Sequence, residues 1–72
     1  MTKPLAKLKK GDTCRIIQFK DTKSKTETMR FGLSEGETVT CLANVGPVII
    51  GKNLITIAIG KNLAGKILVE CE

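Results

Sequence analysis

Residues 46–53 read Gly-Pro-Val-Ile-Ile-Gly-Lys-Asn, "GPVIIGKN", and the fold turns on what this stretch is. As a pattern it is G-x-x-x-x-G-K followed by Asn53, where a phosphate-binding P-loop carries Ser or Thr. A P-loop works by aiming backbone N–H groups at phosphate and passing at once into a helix. Pro47 has no N–H to donate, and Val48, Ile49 and Ile50 are β-branched and favour a strand. The next residues, "LITIAI" at 54–59, are a second strand candidate, and Asn53 lacks the hydroxyl that would bind a metal. The stretch is therefore read as a strand and a hairpin turn, and no nucleotide site is expected. "GKNL" recurs at 60–63, but no longer self-similarity accompanies it, so it too is read as a turn.

Working outward from this hairpin, the rest of the chain reads as more short strands. "TCRIIQFK" (13–20) alternates as a strand does, with Cys14 and Ile16 on one face and Ile17 and Phe19 on the other. "DTKSKTE" (21–27) contains no apolar side chain and reads as a loop. Within it, Ser24-Lys25-Thr26-Glu27 has the S-x-x-E form of a capping box, which predicts a short helix over about residues 25–31. Gly32 suits its left-handed C′ position. "GLSEGETVTC" (32–41) supplies a turn at Gly36 and a strand with Val39 and Cys41 on one face. Leu5 and Leu8 suggest a helical turn near 5–9, "NLAG" another near 62–65, and "ILVEC" (67–71) a closing strand. The expected fold is all-β: a small, highly bent barrel of about five strands with one short helix. The register of the hairpin around 47–59 stays open.

Seventy-two residues make one domain, 1–72, and leave no room for the repeated βαβ units of an open nucleotide-binding sheet. No apolar run approaches the length of a membrane span, and "MTKPLAKLKKGD" at the start has no continuous apolar segment of the signal-peptide kind. A cytoplasmic location and no direct membrane insertion are expected. Three cysteines, an odd number, at positions 14, 41 and 71 argue for reduced thiols rather than a disulfide framework.

The net charge of +5 is uneven. Residues 1–30 hold nine Lys or Arg against Asp12, Asp21 and Glu27, whereas residues 31–72 hold three Lys against four Glu. A basic half invites nucleic acid or an acidic protein surface as partner. Small nucleic-acid-binding barrels pair such charge with aromatic platforms, and only Phe19 and Phe31 are available. Nucleic acid is thus an alternative resting on charge alone and is not the expected partner.

Histidine, tryptophan and tyrosine are absent. Without histidine neither a Ser-His nor a Cys-His nucleophile pair can be built, so no enzyme is expected. Structural zinc usually takes paired ligands such as C-x-x-C, which the chain lacks. Cys14 and Cys41 fall at inward-looking strand positions, where cysteine acts as a small hydrophobe. Cys71, between Glu70 and Glu72, is the remaining metal candidate, able at most to hold a divalent cation such as Fe²⁺ weakly.

"PLAKLKKGDTCRII", "TMRFGLSEGETVTC", "GPVII" and "IAIGKNLAGKILVE", in that order and spacing, resemble the ferrous iron transport protein A (FeoA) family over nearly the whole chain. Leu5, Leu8 and Gly11 match its opening, Met29, Phe31, Gly32, Leu33 and Gly36 its short helix and turn, and Ala58, Ala64 and Ile67 its closing segment. The resemblance implies an SH3-like barrel, related to the C-terminal domain of iron-dependent repressors of the DtxR type. It further implies a non-enzymatic accessory that binds and modulates the cytosolic GTP-binding domain of the membrane ferrous iron transporter, reaching the inner face of the membrane through that partner. The segment "KDTKSKTETMRFGL" (20–33) is the candidate contact, combining Lys20, Lys23, Lys25 and Arg30 with the apolar Met29, Phe31 and Leu33. The alternative reading is a module that binds or senses a divalent transition metal. A small open barrel also exposes strand edges through which two copies could pair as a weak homodimer.

Overall fold

In the computed structural model, which describes residues 1–71, the strands are β1 (Thr2–Pro4), β2 (Thr13–Phe19), β3 (Thr38–Asn44), β4 (Val48–Lys52), β5 (Ile55–Ile59) and β6 (Ile67–Cys71). They form one antiparallel sheet in the order β1-β6-β2-β3-β4-β5. A 3-10 turn, Leu5–Lys7, follows β1; helix α1, Thr22–Met29, follows β2; and α2, Lys61–Ala64, precedes β6. The fold is mainly β, as read from the sequence, with a sixth strand that the sequence conceals. β1 is three residues long and contains Pro4, too short and too irregular for any alternation to show.

The opening motif lies where its residue types put it. Val48 and Ile50 of β4 are buried, and β4 and β5 are joined by a two-residue turn, Asn53-Leu54, with Lys52 opposite Ile55. This fixes the register left open by the sequence. Asn53 takes the positive φ of 56° that the turn demands, a conformation asparagine tolerates better than most residues.

Two β-bulges decide which side chains reach the core. On β2, Ile16 pairs with Val69 but Gln18 pairs with Leu68, so Ile17 is the extra residue. Strict alternation puts Ile16 and Phe19 on opposite faces; the bulge resets the phase and both are buried. The second bulge, on β3, lies between Cys41 and Ala43 and turns Leu42 outward. The core gathers Leu5, Leu8, Ile16, Phe19, Leu33, Val39, Cys41, Val48, Ile50, Ile57, Ile59, Ala64, Ile67 and Val69. Polar bonds seat the N-terminal segment against β3. The Asn44 Nδ2 amide donates to the carbonyls of Ala6 and Leu8 at 3.0 and 2.6 Å, and Gly11 N–H donates to the Cys41 carbonyl at 2.8 Å.

The expectation of three reduced thiols is corrected. Cys14 and Cys71 form a disulfide. Their separation of 57 residues gives no local signature, but β2 and β6 are neighbours and the two cysteines stand directly opposite each other, with Cα atoms 4.2 Å apart, just below the usual lower limit of about 4.4 Å for a disulfide. Cys41 is free and buried, as an inward strand position predicts; burial pushes its thiol pKa up.

Candidate protein-docking surface

Helix α1 begins at Thr22, three residues before the predicted helix start at 25. Asp21, not Ser24, is the N-cap: its Oδ1 accepts from both the Ser24 backbone N–H and the Ser24 hydroxyl, each at 2.7 Å. Asp21 is as good a cap as Ser24, and Ser24 has another role, since it and Thr28 form the buried side of the helix. The Thr28 hydroxyl, otherwise orphaned there, donates to the Ser24 carbonyl at 2.8 Å. The helix therefore seats itself through two small polar residues one turn apart and leaves its longer side chains outside. At its C-terminal end the Gly32 N–H donates to the Met29 carbonyl and the Leu33 N–H to the Thr28 carbonyl. This is a Schellman closure with Gly32, φ 86°, in the left-handed position the sequence assigned to it.

Four carboxylates in the described structure are held below their ordinary range, and one of them organises the loop that follows α1. Glu37 accepts a contact from the Lys52 ammonium, which pairs with it, and bonds from the Ser34 N–H at 2.7 Å and the Ser34 hydroxyl at 3.1 Å. The Lys52 bond, followed by those from Ser34, lowers its pKa against the opposing cost of burial. Lys52 Nζ also donates to the Gly32 carbonyl at 2.6 Å. The lysine of the P-loop-like stretch thus fastens the end of α1 to the start of β3. Sequence reasoning missed this role, because a lysine in a turn carries no mark of a partner twenty residues away.

The candidate contact residues divide into three groups. Lys20, Lys23 and Arg30 are exposed, and Lys23 and Arg30, with Thr26 and Glu27, line a shallow groove on the outer side of α1. Met29 and Phe31 are about half exposed, at 50% and 47%, which is unusual for large apolar side chains beside a rigid turn. Lys25 is exposed but partnered, 3.7 Å from Glu35. Leu33 is corrected: it is fully buried in the core, because the Schellman turn points the residue after glycine inward, and it cannot touch a partner. The structure adds Lys66, whose carbonyl accepts from Lys20 N–H at 2.8 Å. The charges of Lys66 and Lys20, after the two Ser24 bonds, help lower the pKa of Asp21. The surface of α1 thus carries Lys20 and Lys66 at its N-terminal end, Lys23 and Arg30 along its outer side, and Met29 and Phe31 at its C-terminal end.

The metal candidates do not converge. Cys71 sulfur is bonded to Cys14, and Glu70, the preceding residue of β6, points to the opposite face of the sheet. The Glu70 carboxylate is taken up by the N-terminal amine and the Thr2 hydroxyl, which lower its pKa. Glu72 lies outside the described residues. Among those described, no group of three histidine, cysteine, aspartate or glutamate side chains stands close enough to share an ion, and no helix is long and apolar enough to cross a membrane.

A six-stranded antiparallel sheet carrying one short helix, with half-exposed apolar residues at the helix end, defines a small SH3-like β-barrel domain. The chain belongs to the FeoA family: the FeoA domain pattern matches residues 3–71. A crystal structure of an iron uptake regulatory protein (FeoA) is similar over 100% of this chain and 99% of that one, with 30% identity and a TM-score of 0.91. A FeoA-like protein from Clostridium acetobutylicum shares the fold at 18% identity and TM-score 0.86, over 97% of this chain and 86% of that one. A manganese-dependent transcriptional repressor shares it at 20% identity and TM-score 0.86; this chain matches 42% of that longer protein. No curated protein matches the sequence at a significant level.

Proposed function

We propose that this protein is a non-enzymatic accessory of ferrous iron uptake that works in the cytoplasm, binding and modulating the cytosolic GTP-binding domain of the membrane ferrous iron transporter through the surface around α1. Membership of the FeoA family supports the iron-uptake role. The observation that carries the contact is one exposed helix with Lys20 and Lys66 beside Asp21 at its N-terminal end, Lys23 and Arg30 along its outer side, and Met29 and Phe31, half exposed, at its C-terminal end. A basic helix that ends in exposed apolar side chains fits an acidic partner surface with an apolar depression at one end. The Lys52–Glu37 clamp holds this surface in shape before binding, which spares the partner the cost of ordering it.

The test is the affinity of the chain for the soluble GTP-binding domain of its cognate transporter. Charge reversal at Lys23 and Arg30 together is expected to weaken binding by tenfold or more, roughly 1.4 kcal/mol, with the fold intact by circular dichroism. Unchanged affinity in the folded variant would remove α1 from the contact.

A further inference from the structure

The two edges of the sheet are built differently. β1 covers one edge with three residues, two of them Lys3 and Pro4, and ends in a 3-10 turn; a short edge bearing lysine and proline discourages pairing. β5 covers the other with Ile55-Thr56-Ile57-Ala58-Ile59, in unbroken register with β4. It has no proline, no bulge and no charge, and the whole run 53–60 is uncharged in a chain of net charge +5. The two-residue turn makes Lys52 and Ile55 the hydrogen-bonded pair beside it. By alternation the backbone groups of Ile57 and Ile59 also face β4, whereas the N–H and C=O of Thr56 and Ala58 point away from the sheet. No backbone bond from residues 55–59 to any element other than β4 occurs among the described residues. Thr56 and Ala58 are exposed, and beside them Leu54 is fully exposed and Ile55 56% exposed.

We propose that β5 is a homodimerisation edge, on which a second copy of this chain adds its own β5 antiparallel to the first and extends the sheet across a two-fold axis. The sequence of the strand is self-complementary in that register. With the axis at Ile57, Thr56 of each copy faces Ala58 of the other, so the outward N–H and C=O groups of both copies are satisfied, and Ile55 covers Ile59. Charge singles out this face for self-association. Two +5 molecules repel wherever their lysines meet; here residues 53–60 carry no charge, Lys52 at the start of the turn is already held by Glu37, and Lys61, just past Gly60, is the lysine brought toward the partner's turn at Asn53. The contact is small. Five-residue strands bury well under the ~800 Å² per partner of a standard stable interface, so the dimer is weak and concentration-dependent, with a Kd on the order of 0.1–1 mM.

This inference stands apart from the proposed docking at α1, and salt separates the two. Screening weakens a basic-to-acidic contact but relieves repulsion between like-charged copies, so the β5 dimer is strengthened by salt. The experiment is sedimentation velocity of the whole chain, from well below to above this concentration range, at low and high salt, with amide shifts followed on dilution. The expected result is a rise from the 7.8 kDa monomer toward twice that mass, larger at high salt, with dilution shifts centred on Thr56 and Ala58. Thr56→Lys, which places a charge on the edge, and Ala58→Pro, which removes an outward N–H at a position an edge strand tolerates, should both keep the chain monomeric. A chain that stays monomeric throughout, a dimer that both variants retain, or dilution shifts confined to other residues would overturn the proposal.

Discussion

Lys52 shows how one residue can sit in a phosphate-binding pattern in sequence and be structural in space. Its ammonium joins Glu37 to the Gly32 carbonyl and so holds the turn that presents Met29 and Phe31. Replacing it with methionine keeps most of the apolar stem and removes both bonds. Lys52→Met should lower stability by about 1 kcal/mol, since the pair is partly solvated, and loosen residues 30–37, seen as faster amide exchange there. The same bonds make stability depend on pH. Glu37 in the folded chain titrates below its ordinary 4.5, so its contribution is fully present above that value and drains away as pH falls through the lower folded pKa. Asp12, lowered chiefly by the Lys9 N–H and further by Lys3, and Asp21, lowered by Ser24, act in the same direction from 3.8. Stability should therefore be flat above pH 5 and fall below pH 4, and in Lys52→Met the fall should be shallower, as urea midpoints across pH would show.

At the scale of elements, α1 depends on its cap more than on an apolar stripe, because its buried side is Ser24 and Thr28. Asp21→Ala should cost about 1 kcal/mol and fray the first turn, with Asp21→Asn recovering most of the loss; thermal unfolding of the three proteins measures this. The strands were readable where alternation held, as with Val39 and Cys41 or Val48 and Ile50. They were misread at Ile17, where a bulge changes the phase and nothing local marks it. The helix was found by its polar cap chemistry and its closing glycine, but its start was placed late because Asp21 and Ser24 are both good caps and only packing chooses between them. The surface of α1 is half visible in sequence: Lys23, Arg30, Met29 and Phe31 are near one another, whereas Lys66 arrives from the turn before β6 and the burial of Leu33 follows from the path of the chain after Gly32.

In the whole molecule, a domain this small buries little more than half of its unfolded surface, so a covalent tie matters. The Cys14–Cys71 disulfide closes a loop spanning 57 residues and fastens the last strand to the middle of the sheet. In the chain-entropy account such a loop is worth about 4 kcal/mol. Reduction, or Cys14→Ser with Cys71→Ser, should lower the denaturant midpoint accordingly, and equal midpoints with and without reductant would show that the tie adds nothing. The rest of the architecture turns one end of the barrel, with α1, Met29 and Phe31, into a preformed basic and apolar surface, while leaving the β5 edge bare on another. Measured directly, the central claim is where the partner lands. In an NMR titration of the labelled chain with the soluble GTP-binding domain of the cognate transporter, the account predicts shifts at residues 20–32 and Lys66, weakening as salt rises. Shifts confined to other parts of the barrel, or none at saturating partner, would contradict it.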